Sequence, residues 1–198
     1  MQTNELIKVV IIGAESTGKS TLCSMLAAHY QTVWCPEYAR EYLTKNGKDY
    51  TYEDLVTIAK GQLALIEKYK KKCVEKFNNT SRENRTAGHL NSPLLFIDTD
   101  MYVMKVWSEF VFGKVDAFIT DAIKKQQTDL YLLCNIDLPW QEDELREYPD
   151  VESRQQLMQI YTNILQNQQL PWIQVNGSDL ARLEIAIKSI DLFLRNRF

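Results

Sequence analysis

A chain of 198 residues is long enough for one α/β domain with a sizeable core and short for two. Its 45% hydrophobic and 25% charged residues are ordinary for a globular protein, and a formal net charge of -3 argues against broad attraction to nucleic acid or anionic membrane. No apolar run approaches the roughly 20 residues that span a bilayer, so neither a nucleic-acid nor a membrane partner is expected.

The first apolar run, Leu6 to Ile12, reads as a central strand covered on both faces, and it leads directly into a glycine loop. It lacks the basic flank and cleavage pattern of a secretory leader. Together with four scattered cysteines (Cys23, Cys35, Cys73 and Cys134), this leads to the expectation of a cytoplasmic protein with reduced, isolated thiols. Thr21 to Tyr30 carries Leu22, Met25, Leu26 and His29 at helical spacing. Val33 to Cys35 is a short second strand ended by Pro36, and Tyr38 to Lys45 a short helix. Thr51 is a candidate N-cap for a long helix reaching about Lys76, with Leu55, Ile58, Ala59, Leu63 and Ile66 on one face. Residues 78–92 hold almost no apolar side chains and are expected to form a mobile surface insertion. Leu94 to Ile97 is the third strand, followed by helices over Met101 to Phe112 and Val115 to Gln126 with Gly113 as the break. The fourth strand is Leu130 to Cys134, a charged segment interrupted by two prolines runs to Asp150, and a helix covers about Val151 to Gln168. Trp172 to Val175 is the fifth strand; Asn176 and Gly177 turn, Ser178 can cap, and Leu180 to Arg195 closes the chain. Strands alternating with helices predict an α/β fold with a five-stranded parallel sheet sandwiched by helices. No repeat or linker divides residues 1–198, which are expected to form a single domain.

Gly13-Ala14-Glu15-Ser16-Thr17-Gly18-Lys19-Ser20 satisfies G-x-x-x-x-G-K-[ST] between a buried strand and a helix, the P-loop NTPase signature. The two glycines allow backbone conformations that a Cβ would obstruct, so successive N–H groups converge on phosphate oxygens. The helix after the loop, starting with Thr21, points its positive end at the same anion. Lys19 supplies a mobile cation to the β- and γ-phosphates, and the Ser20 hydroxyl is a ligand for Mg²⁺. A glycine-rich turn alone would not explain Lys19 and Ser20. ATP and Mg²⁺ are the expected cofactors.

Asp98 ends the third strand, where a carboxylate for the metal belongs, but Asp100 follows so closely that spacing does not choose between them. Glu37 leaves the second strand at the carboxyl edge of the sheet, beside the phosphate loop, and could accept a hydroxyl proton or orient a ribose. Arg40 lies one helical turn on; on spacing alone the two are equally well a surface ion pair. Asp137-x-Pro139-Trp140-x-x-Asp143-x-x-Arg146, then Arg154, holds two arginines that could close over transferring phosphate, or merely a solvated charged loop.

In order along the chain, GAESTGKST, EYARE, IDTD, DxPWxxDxxR…R and the PW-I-x-V fifth strand resemble the ribosylnicotinamide kinase domain of NadR-type proteins, from about Lys8 to near the C-terminus. That group is a P-loop kinase, AAA-type ATPase family with a nucleoside-monophosphate-kinase-like fold and a lid. The resemblance implies ATP-dependent transfer to the 5′-hydroxyl of a small nucleoside, nicotinamide riboside first. It implies that residues 13 to 21 bind ATP and that Ser20 and Asp98 hold the metal. Lys19, Glu37, Asp100, Arg146 and Arg154 would be catalytic; Glu37, Arg40, Asp100 and Trp140 would line the acceptor pocket; residues 137–154 would be the lid. Glu15 also fits the family loop, its carboxylate directed away from phosphate. The bifunctional relatives carry an adenylyltransferase domain before the kinase, whereas this sequence begins at the first kinase strand, so adenylyl transfer and repression are not expected. The family's Trp before the strand-2 Glu is Pro36 here. Trp34, two residues earlier on the same strand face, is the expected substitute in the pocket. A kinase for another nucleoside or small alcohol, or a slowly hydrolysing ATP switch, remains the alternative. The oligomeric state is left open.

Overall fold

The computed structural model describes residues 5–80 and 92–197. Five parallel strands, β1 (Ile7–Ile12), β2 (Val33–Cys35), β3 (Leu94–Asp98), β4 (Leu130–Cys134) and β5 (Trp172–Val175), form one sheet in the order β2-β3-β1-β4-β5. The three central strands are buried along their whole length, which explains their unbroken apolar sequences. Among the described residues seven helices connect or follow them: α1 (Lys19–His29), α2 (Tyr38–Asn46), α3 (Tyr52–Asn79), α4 (Met101–Phe112), α5 (Ala117–Lys125), α6 (Val151–Gln166) and α7 (Asp179–Arg197).

Strand alternation divides the core into two layers. Val9, Ile11, Phe96 and Leu132 face α1 and α7, where Leu22, Leu26, Ala186 and Ile190 meet them. Val10, Ile12, Ile97 and Leu133 face α3, α4 and α6, against Ile66, Val106, Leu157 and Leu165. A third cluster, with Leu43, Leu55, Ile58, Met104 and Ile119, joins α2 to α5 beyond the sheet edge. Among the described residues no helix is long and apolar enough to cross a membrane.

The strands and helices expected from the sequence are present, and their differences are at the ends. Thr51 caps α3 through a full capping box: its hydroxyl oxygen accepts from the Asp54 amide while Asp54 accepts from the Thr51 amide. That helix runs through Asn78 and Asn79, although the sequence pattern assigns both to the 78–92 insertion; residues 81–91 lie outside the described residues. Helix α1 begins at Lys19, two residues before the expected start at Thr21, because Gly18 in the left-handed region (φ 76°) turns the loop into it.

Candidate active site

In the order β2-β3-β1-β4-β5 the connections progress to one side of β1 and then to the other, and the loops after β1, β2 and β3 meet at the carboxyl edge beside this reversal. The loop after β1 is the phosphate-loop sequence. Gly13 has φ 144°, and a Cβ there would stand 2.8 Å from the Cys134 carbonyl, so only glycine fits. Ser16 also takes a positive φ of 54°. Thr17 turns inward, its hydroxyl donating to the Ala14 carbonyl at 2.8 Å, and the Lys19 ammonium donates to the same oxygen at 2.8 Å. The Lys19 cation is thus folded back over the concavity of the loop.

Beneath it, Ser20 donates its hydroxyl to Asp98 Oδ2 at 2.5 Å. Asp98 is 1% exposed, and its second oxygen, Oδ1, is buried with no hydrogen-bond partner. Burial holds this carboxyl above the usual range, with Lys19 pulling the other way. An unpartnered carboxylate oxygen beside a serine hydroxyl is a donor set of the kind Mg²⁺ takes, directly or through water.

Glu37 occupies the N-cap position of α2, yet its side chain makes no capping bond, so the carboxylate is left to the cavity. Its pKa is raised to about 7, first by burial and then by the charge of Asp98, with Lys19 and Arg40 opposing. Gln62 of α3, 1% exposed, holds the two strand exits together. Its Oε1 accepts from the Tyr38 amide at 2.7 Å, and its Nε2 donates to the Thr99 carbonyl at 3.0 Å. Thr99 itself lies at φ 76°, a strained place for a β-branched residue. One buried amide therefore sets the separation between the carboxylates of β2 and β3.

A cavity of about 470 Å³ runs from Gly13–Thr21 past Glu37 and Arg40 into a chamber walled by Tyr50, Trp107, Phe110, Tyr148 and Tyr161. The connection from β4 to α6 roofs it with Glu144, Leu145, Arg146 and Glu147. This connection is tied to the phosphate loop at two points. Glu15 Oε2 accepts from the amides of Glu147 (2.9 Å) and Tyr148 (3.3 Å), and Ser16 Oγ accepts from the Gln141 amide (2.9 Å) and from Arg146 Nη1 (3.3 Å). Arg40 pairs with Asp143 of the same connection at 2.7 Å. Glu15 is therefore turned toward the roof, as its charge requires.

The structure brings together residues 13 to 21, Glu37, Arg40 and Arg146 around one cavity, with Asp98 beneath them. It leaves out four others. Trp34 packs on the α1–α7 layer, while Cys35 beside it faces the layer of α3, α4 and α6 on whose side the cavity opens. Alternation thus points Trp34 to the wrong side of the sheet, and the chamber aromatics come from other elements. Asp100 is 3% exposed and caps α4: it accepts from the Tyr102 amide at 2.9 Å and from the Tyr131 hydroxyl at 2.8 Å. Its raised pKa of about 6 comes from burial. Trp140 lies outside the cavity with the guanidinium groups of Arg146 and Arg154 at 5.9 and 5.7 Å from its ring. Arg154 is 5% exposed and donates to the Leu138 carbonyl at 3.3 Å, anchoring the connection from below.

Sequence reasoning missed Gln62 and Arg182. The latter is 1% exposed and donates to the carbonyls of Thr17, Asn135 and Gly177 and to Asp137, so it braces the phosphate loop from behind. Each was signalled by a polar residue on an apolar helical stripe: Gln62 between Ile58 and Ile66, Arg182 before Ala186 and Ile190.

Comparison with known proteins agrees with this fold. The chain is 27% identical over 175 residues to the trifunctional NAD biosynthesis/regulator protein NadR of Escherichia coli (strain K12), and equally so to that of Salmonella typhimurium (strain LT2). These matches take in 86% of the chain, and the chain spans only 38% of the length of either relative. Among solved structures, NadR protein in complex with NR superposes with a TM-score of 0.70 at 21% identity, covering 94% of this chain and 51% of that one. Thymidylate kinase from Ehrlichia chaffeensis superposes with a TM-score of 0.60 at 13% identity, covering 93% of this chain and 98% of that one. The P-loop fold is common to all of them. A profile of the AAA domain matches residues 8–182, from the first strand to the arginine behind the phosphate loop, and the chain belongs to that family.

Proposed function

We propose that the protein is an ATP-dependent kinase that phosphorylates the 5′-hydroxyl of a small nucleoside, nicotinamide riboside first among them. One observation carries this reading: a single cavity joins a complete phosphate loop to an aromatic chamber, with Glu37 at the junction. The NadR relatives, together with NadR structures solved in complex with NR and with NAD and AMP-PNP, support the choice of substrate. The chamber's aromatic walls suit a planar base, and a pyridinium ring is further favoured by stacking on Tyr or Trp.

Residues 13 to 21 would wrap the phosphates of ATP, with backbone N–H groups and the α1 dipole directed at them. Ser20 and Asp98 would hold Mg²⁺, which when bound neutralises charge on the β- and γ-phosphates. Lys19 exchanges the Ala14 carbonyl for phosphate oxygen and follows the charge as it develops. Glu37 accepts the hydroxyl proton of the acceptor, and Arg40 orients the sugar beside it. Residues 137–154 act as a lid: Arg146 comes from the roof over Ser16 to the transferring group and helps exclude water. Asp100, Trp140 and Arg154 support this arrangement without touching substrate. Four buried free thiols fit a reducing, cytoplasmic setting.

The decisive test is a panel of nucleosides and small alcohols incubated with ATP and Mg²⁺ and scored by mass spectrometry for phosphorylated product. Nicotinamide riboside should be converted, and Lys19→Ala should lower its conversion by about 100-fold or more. ADP release that no acceptor stimulates would refute the kinase reading.

A further inference from the structure

Glu15 stands at a position that the phosphate-loop pattern leaves free, and an uncompensated anion there would oppose phosphate binding. The structure uses it instead to receive two backbone N–H groups of the roof, at Glu147 and Tyr148. The side chain of Glu147 continues the line: Tyr50 donates its hydroxyl to Glu147 Oε2 at 2.7 Å, and Trp107 Nε1 donates to that same hydroxyl at 2.8 Å. Tyr50 and Trp107 are walls of the acceptor chamber, their rings 4.9 Å apart edge to face. Two hydrogen-bonded segments, one at the Glu147 carboxylate and one at its backbone amide, are thus joined through the covalent frame of that single residue and link the acceptor chamber through the roof to the phosphate loop. The Tyr50 hydroxyl, accepting from Trp107 and donating to Glu147, strengthens both of those bonds and fixes the Glu147 side chain, and a fixed side chain restrains the backbone whose amide reaches Glu15.

We infer that Tyr50 and Glu147 are a positioning pair that couples the acceptor chamber to closure of the 137–154 segment over the phosphate loop. The inference rests on the kinase reading for its purpose: a roof held shut only when the acceptor side is ordered keeps water from the γ-phosphate. An acceptor that packs on Tyr50 and Trp107 fixes the tyrosine hydroxyl; Glu147 is then fixed, and its amide stays on Glu15. Loss of the hydroxyl leaves both rings in place but cuts the line in the middle.

The test uses the full chain as wild type, Tyr50→Phe, Glu15→Gln and the double variant. Hydrogen exchange at residues 141–148 is followed with a non-hydrolysable ATP analogue bound. Tyr50→Phe should exchange the amides of Glu147 and Tyr148 about three- to tenfold faster, the effect of one hydrogen bond, with β1 and β4 unchanged. In the double variant Tyr50→Phe should add less than it does alone, since both act on one line. Wild-type exchange rates at these two amides in Tyr50→Phe overturn the pairing. A second readout is the ratio of ADP released to acceptor phosphorylated, which should rise above one in Tyr50→Phe; a merely structural role would lower both together and leave the ratio at one, again overturning it. Wild type that phosphorylates no nucleoside refutes the kinase reading alone, and the exchange measurement still decides the pair.

Discussion

Gly61 lies inside α3, where glycine is a poor choice for a helix, and it is there because of Tyr38. A Cβ built at position 61 would stand 2.0 Å from Tyr38 Cε1, 2.3 Å from Cδ1 and 2.5 Å from Cζ. Carbon atoms in contact sit about 3.5–4.0 Å apart, so in Gly61→Ala the ring must withdraw by roughly 1.5 Å. It cannot swing freely, because the Tyr38 amide is held by Gln62 and the preceding residue is Glu37. Two effects oppose each other in stability. Alanine gains about 1 kcal/mol of helix preference, and overpacking costs about 1–3 kcal/mol. The net loss should be about 0–2 kcal/mol, lowering Tm by no more than about 8 °C at the 2–4 °C per kcal/mol typical of a chain this size. The rate should suffer more, since an error of about 1 Å at a reacting group can remove roughly 100-fold. We expect kcat for acceptor phosphorylation to fall at least about tenfold, with KM for ATP nearly unchanged. In a Tyr38→Ala background the same Gly61→Ala change should lower kcat less than about twofold, because the ring that transmits the clash is gone. A single variant with raised Tm and wild-type kcat would refute the argument, as would equal effects of Gly61→Ala in both backgrounds.

Other substitutions separate roles that the sequence left joined. Glu37 must be unprotonated to accept a proton, and its pKa is raised to about 7, so kcat/KM should climb as pH rises through about 7 and level off above it. Glu37→Gln should abolish that limb, and an unaltered profile in this variant would show that another group titrates. Arg146 lines the cavity whereas Arg154 is buried beneath the roof, so Arg146→Ala should lower kcat with little change in Tm, and Arg154→Ala should chiefly lower Tm. Equal kinetic and thermal effects of the two would contradict this division. Arg182→Met leaves the Thr17, Asn135 and Gly177 carbonyls and Asp137 without their shared donor, a loss of about 3 kcal/mol measurable as a Tm drop of about 6–12 °C, together with a raised KM for ATP. Unchanged KM in a folded Arg182→Met protein would remove the bracing role.

Periodicity and the glycine loop sufficed for the sheet, its helices and the phosphate end of the cavity, because each follows from short-range rules. Leu130 to Cys134 and Trp172 to Val175 could be read at their true ends since turn residues flank them. The acceptor end could not be read that way. Tyr50 comes from the α2–α3 loop, Trp107 and Phe110 from α4, Tyr148 from the roof and Tyr161 from α6, and no spacing in the chain brings them together. Alternation alone puts Trp34 on the strand face of Pro36, two residues on, but does not say which layer that face meets, and in the structure Trp34 of this three-residue strand packs on the opposite layer. Asp98 and Asp100 are two apart, and only the helix start at Met101, which takes Asp100 as its cap, separates them.

The distribution of thiols has a practical consequence. Cys23, Cys35, Cys73 and Cys134 are each at most 1% exposed, and burial pushes the Cys35 and Cys134 thiols up to about 12. In the folded chain they are neither reachable nor nucleophilic, so an alkylating reagent can label them only during an opening event. They sit on four different elements, α1, β2, α3 and β4. Site-resolved labelling would therefore time the opening of each part separately, with no engineered probe. Cys134 lies directly behind Gly13, so its labelling rate in the presence of ATP would measure how firmly nucleotide fastens the floor of the loop.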